Sequence, residues 1–320
     1  TYASRPPLFP LLIVSTKFLF HHSAPAFVLV QTFLSTMSVL LVYQITVRIS
    51  NASAALTAAF FYAFHPYALV HDTQLQETAL YNFLSLASVT LVLISISRKQ
   101  TLNFVVTGFV LGLTTLTRAS HLVHSLALAM TLGLLLKPKS LAIRSAIALF
   151  FGLMLCLSPW LIRNKMKVGS FTLTSFAGGA LAEAHNPYTF HAFPYRGSID
   201  ESNRVFEANL QKDLDETQAK TLSALRGHEM AQNRWFEKLA FDYMAKHPLE
   251  SIKRGAIKVA VTFAGLPSPL KGRTENAVYF LTYWVLTLFC VFGLIQLSRT
   301  PWFVIFLTLH GSHALFTFIF

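Results

Sequence analysis

Residues 78–117, TALYNFLSLASVTLVLISISRKQTLNFVVTGFVLGLTTLT, hold two apolar blocks, 78–97 and 102–117, parted by Arg98 and Lys99. Neither block alternates with period two, and each is close to the roughly 17 to 25 residues that a helix needs to cross a hydrocarbon core. In lipid the backbone must pair within its own segment, so uninterrupted apolar runs of this length read as helices. Similar blocks lie at 26–47, 54–70, 119–136, 145–162, 276–298 and 301–320, which makes eight expected spans. A shorter stretch, Leu8 to Phe20, carries Lys17 and reads as an interfacial helix.

Composition agrees. The chain is 53% hydrophobic and 12% charged, with a mean hydropathy of +0.51, against roughly 25% charge in an ordinary soluble domain. The fold class expected is an all-α polytopic membrane protein. The net charge of +12 would suit a nucleic-acid binder only if Lys and Arg formed stripes among stacking aromatics. Here they sit at the ends of apolar blocks, as membrane topology and anionic lipid would place them, so no nucleic-acid partner is expected. Cys156 and Cys290 lie inside apolar segments and imply neither a disulfide scaffold nor a thiolate metal site.

Cytoplasmic loops carry the excess of Lys and Arg. Arg48, the pair Arg98 and Lys99, the group Lys137, Lys139 and Arg144, and Arg299 all fall in loops of one parity. The turns around His71 to Glu77 and around Arg118, and the region after Trp160, then face outward. Three parts are expected: membrane helices over 1–163, an extracytoplasmic, mostly helical domain over 164–255, and an interfacial helix with two more spans over 256–320. Val205, Leu210 and Leu214, and again Trp235, Phe236, Leu239 and Phe241, follow helical spacing in the polar part. Ile252 to Leu266, with Lys253, Arg254 and Lys258, reads as a helix lying at the interface.

Charged residues beside the outward ends of the spans are the candidates for chemistry. Asp72 is either part of a solvated loop or a catalytic carboxylate. Glu77 directly precedes an apolar helix, where a carboxylate favours the helix dipole and could equally meet a substrate at the membrane surface. Arg118, between two apolar blocks, either snorkels to head groups or binds an anion. Arg163 and Lys165 add cations after Trp160, and Asn164, Glu183, His185 and Asn186 could hydrogen-bond a sugar. The Glu183 and His185 pair could instead help bind a divalent metal ion. No Walker-type loop, dinucleotide fingerprint or His-Glu-x-x-His appears, so no cofactor is firmly implied.

The ordered set of short motifs resembles a family. Arg5-Pro6-Pro7-Leu8-Phe9-Pro10, His65-Pro66 through Glu77, Gly112-Leu113 through Thr117-Arg118, and Pro159-Trp160 through Arg163-Asn164 with Gly169 are similar to stretches of GT-C membrane glycosyltransferases. The group is that of the family-39 protein O-mannosyltransferases and aminoarabinose transferases. The resemblance implies transfer of a sugar from a polyprenyl-phosphate donor to a lipid, glycan or protein acceptor, on the outer face of a bacterial inner membrane. Glu77 and Asp72 would be the catalytic carboxylates of this stretch. Arg118, Arg163 and Lys165 would bind the donor phosphate. The family's base, an Asp in the first outward loop, would precede Thr1, and further helices would follow Phe320, so the stretch alone is expected to be inactive. A polytopic transporter or flippase of a lipid-linked or anionic substrate is the alternative.

Overall fold

The computed structural model describes residues 3–21, 24–72, 74–189, 199–265 and 272–320, and every regular element among them is a helix. In order these are α1 (Leu8–Leu19), α2 (Ala24–Ile49), α3 (Ala52–Ala63), α4 (Pro66–Asp72), α5 (Thr78–Arg98), α6 (Thr101–Thr117), α7 (His121–Leu135) and α8 (Lys139–Val168). There follow α9 (Ala177–Ala184), α10 (Ile199–Asp213), α11 (Glu216–Ala224), α12 (Glu229–Lys246), α13 (Pro248–Ala264), α14 (Arg273–Leu297) and α15 (Pro301–Ile319). Helix packing separates two compact units. One contains residues 6–160 and 285–312, the other residues 1–5, 161–284 and 313–320.

Five described helices are long and apolar enough to cross a membrane: α2 from Pro25, α5, α8, α14 and α15. The expectation of eight spans is corrected at one place. The block 54–70 breaks into α3 and α4 at Pro66, because proline offers no N–H and disfavours helical geometry in the residue before it. The blocks 102–117 and 119–136 each form one apolar helix, of 17 and 15 residues. Arg118 ends the first in an extended conformation, and Leu136 ends the second in the same way. Asn51 sets the start of α3, its side chain accepting from the Ala54 N–H at 2.9 Å.

In the membrane unit α5 and α6 form an antiparallel hairpin turned at Lys99, whose backbone is left-handed with φ 54°. Two hydroxyl pairs fix the register: Ser88 with Thr114 at 3.3 Å and Ser95 with Thr107 at 2.9 Å, all four residues buried. Helices α2 and α5 pack side by side, and near their starts Gln31 donates to the Gln76 carbonyl at 3.0 Å, so the two run parallel. Arg48 and Arg98 therefore lie at a common end, where Arg144 reaches the Lys99 carbonyl at 3.5 Å. Glu77 and Arg118 lie at the opposite end.

Gly108 and Gly112 of α6, spaced as Gly-x-x-x-Gly, meet Leu149 and Cys156 of α8, and Gly152 of α8 meets Val105 and Phe109 of α6. A Cβ at Gly108 would overlap the Leu149 carbonyl, and one at Gly152 the Val105 carbonyl. The two backbones can approach only because these positions lack side chains. Gly152→Ala is expected to cost about 1–3 kcal/mol and to lower the melting temperature in detergent. Gly133→Ala, where a Cβ meets nothing, should melt as the wild type does.

The second unit is built around α9 and α12. Gly178 lets α9 approach so closely that its N–H reaches the Asn233 side-chain oxygen at 2.7 Å. Leu181, Ala182, Phe206 and Ala240 form the core, with Leu210, Phe236 and Leu239 packed against it. Helix α13 covers most of the stretch Ile252 to Leu266. Arg254 and Lys258 are buried, at 7% and 4% exposure, rather than reaching toward head groups. Leu266 lies outside the described residues.

Candidate functional site

The membrane unit gathers Glu77, Tyr81, Arg118 and His121 at one end. Glu77 occupies the N-cap position of α5 but makes no side-chain cap hydrogen bond. Its carboxylate instead pairs with Arg118, Nη2 to Oε1 at 3.1 Å. The α5–α6 hairpin brings both residues to one end, and the extended backbone at Arg118 turns the chain toward α7. The guanidinium carbon also stands 4.8 Å from the centre of the Tyr81 ring. The cation lies over the ring, and Glu77 takes one of the five guanidinium N–H donors. Arg118 keeps 47% exposure, and its other N–H groups have no hydrogen-bond partner among the described residues. A planar, always-charged fork with a free edge can bind phosphate oxygens or a carboxylate. Asp72 closes α4, and its side chain lies outside the described residues.

The remaining candidates lie in the second unit. Asn164 is fully buried, donating to the Thr172 carbonyl at 2.7 Å and accepting from Arg163 Nη1 at 2.8 Å. Lys165 is exposed and donates to the Gly169 carbonyl at 3.0 Å, with its ammonium 5.7 Å from the Phe171 ring. This short network holds the turn after α8, and Gly169 with φ 77° suits that turn because glycine lacks a Cβ.

Asn186 is buried and ties its own turn. Its amide donates to the Ala182 and Glu183 carbonyls at 2.9 and 2.7 Å, and its oxygen accepts from the Tyr188 N–H at 2.8 Å. Glu183 accepts from Asn203 at 3.1 Å, and burial together with the Glu207 carboxylate pushes its pKa up. Among the described residues no three His, Cys, Asp or Glu side chains gather as metal ligands, so Glu183 and His185 find no third donor there.

Sequence reasoning missed two buried cations beside His185. Arg254 donates to the Asn186 and Pro187 carbonyls and pairs with Glu250. Lys258 Nζ lies 3.2 Å from the Ile319 carbonyl, and His185 Nε2 lies 2.6 Å from the same oxygen. Burial lowers the His185 pKa, aided by the Lys258 and Arg254 charges and opposed by that carbonyl.

Burial also pushes Lys258 down from 10.5 to about 8. Between those values the unfolded chain holds more protons than the folded one, so folding stability should rise with pH across that window. Lys258→Met should flatten the rise, read as melting temperature in detergent from pH 7.5 to 10. An unchanged slope would show that Lys258 does not carry it.

Residues 4–162 match the family described as dolichyl-phosphate-mannose-protein mannosyltransferase. No curated protein and no solved structure matches the chain. The matched stretch contains Glu77, Tyr81, Arg118 and His121 and ends just before Arg163.

Proposed function

We propose that this chain, a membrane glycosyltransferase of the GT-C type by the family match over residues 4–162, moves a sugar from a polyprenyl-phosphate donor to a lipid, glycan or protein acceptor. The active face is the end bearing Glu77 and Arg118, turned outward from a bacterial inner membrane. The observation that carries this reading is the Glu77–Arg118 pair at 3.1 Å, at the end of the helices opposite Arg48, Arg98 and Lys99. A carboxylate and an arginine with a free edge, side by side, suit a reaction that takes up a proton and releases a phosphate.

An acceptor hydroxyl attacks the anomeric carbon, the bond from that carbon to the phosphate oxygen breaks, and the electron pair leaves on the polyprenyl phosphate. The hydroxyl proton goes to a carboxylate, for which Glu77 and Asp72 are the candidates. Glu77 orients the acceptor or the donor sugar. Arg118 stabilises the charge growing on the phosphate. Arg163 and Lys165 are further cations for that task. Glu183, His185, Asn164 and Asn186 shape sugar or acceptor contacts, Asn164 and Asn186 by holding their turns. A divalent metal ion at Glu183 and His185 would need a donor from elsewhere.

The second reading, a transporter or flippase, draws on an apolar cavity of about 1030 Å³ lined by α2, α3 and α14. Sealed vesicles containing the full protein separate the two. A glycosyltransferase joins labelled sugar to acceptor and frees polyprenyl phosphate. A flippase would move the intact donor between leaflets without cleaving it, and that outcome would overturn the transferase reading.

A further inference from the structure

Behind Arg118 a chain of ring contacts runs from the end of the membrane unit into its interior. The Tyr81 ring lies under the guanidinium, and its hydroxyl lies 3.2 Å from His121 Nδ1. His121 is 5% exposed and stacks in parallel on His124, with ring centres 5.3 Å apart and planes 4° apart. His121 opens α7 three residues after Arg118, and its N–H donates to the Arg118 carbonyl at 2.9 Å. The same histidine therefore touches Arg118 through the backbone and Tyr81 through its ring.

His121 Nε2 is buried and has no hydrogen-bond partner among the described residues. The ring borders a cavity of about 180 Å³, also lined by Tyr81, Ser88, His124, Leu111 and Leu309.

We propose that Tyr81 and His121 are positioning residues for Arg118. Tyr81 fixes the plane of the guanidinium, and His121 fixes the Tyr81 ring through its hydroxyl. The free N–H edge of Arg118 is thereby presented in one orientation to the oxygens of a phosphate ester. A lone exposed arginine would sample many rotamers, and a stacked one is pre-organised for a two-point contact. This inference rests on the proposed role of Arg118 in the transferase reading.

A double-mutant cycle in the full chain tests it. Arg118→Ala should lower kcat/KM for the polyprenyl-phosphate sugar by about 10²–10³-fold. Tyr81→Leu should lower it by roughly 10-fold or more, and should lower it no further when Arg118 is already alanine. Tyr81→Phe keeps the ring but loses the His121 bond. It should lose only a few-fold, and His121→Leu added to it should cost nothing more.

The KM for the acceptor should stay unchanged in every variant. A merely unstable protein would instead lose active fraction toward both substrates, which a melting curve and active-site titration detect. If Arg118→Ala is impaired but the Tyr81 and Arg118 losses simply multiply, Tyr81 acts independently and the positioning role is overturned. Full transfer by Arg118→Ala would overturn the site reading itself.

Discussion

Glu77→Gln in the full chain is expected to lower glycosyl transfer by about 10²–10⁴-fold while the protein still inserts and folds. Glutamine keeps the shape and most of the hydrogen bonding, and removes only the charge. If Glu77 served only the helix start, the loss would be about 0.3–1 kcal/mol of stability and transfer would be nearly normal. An exposed ion pair with Arg118 adds at most about 1 kcal/mol more. The geometry weakens the purely structural role, because the Glu77 side chain makes no cap hydrogen bond and turns to Arg118 instead. Melting temperature and turnover measured on one preparation separate the two roles.

Arg118→Lys should fall almost as far, by about 10²–10³-fold, although the net charge is unchanged. Lysine offers a compact ammonium in place of a planar fork, and it cannot lie flat on Tyr81 while presenting two parallel N–H groups to a phosphate. The same change would be nearly silent if Arg118 only snorkelled to lipid head groups, since lysine snorkels equally well. Donor kcat/KM is the informative quantity, with the acceptor varied separately.

Much of the membrane half was legible because its signals are local. The apolar blocks flanking Arg98 and Lys99 became α5 and α6, and Arg118 ends α6 as its isolation between two apolar runs suggested. Pro66 carried a readable warning that one expected span would break. Gly108 and Gly112 carried another, for close helix packing. Both signals were present in the sequence.

The burial of Arg254 and Lys258 had no such signal. Apart from Glu250, four residues before Arg254, their partners are backbone carbonyls at Asn186, Pro187 and Ile319, far away in the chain. A basic residue on an apolar helix reads as interfacial until its partners are seen. In the candidate site Glu77 and Arg118 could each be singled out, but their pairing depends on the register of the α5–α6 hairpin. The contact of Tyr81 with His121, forty residues apart, depends on α7 folding back beside α5. Asn164 and Asn186 could be singled out as polar side chains, but an amide does not reveal which groups of its own turn it pairs with.

The most direct measurement follows a polyprenyl-phosphate donor carrying a labelled sugar, incubated with the purified full-length protein and membrane extract supplying lipid, glycan and protein acceptors. Free polyprenyl phosphate and labelled acceptor are quantified together for the wild type and for a Glu77→Gln, Arg118→Ala double variant of matched melting temperature. The expected result is equal amounts of both products with the wild type and at least a 10²-fold loss with the double variant. Equal yields from the two proteins, or donor left intact by the wild type, would contradict the assignment of Glu77 and Arg118 to glycosyl transfer.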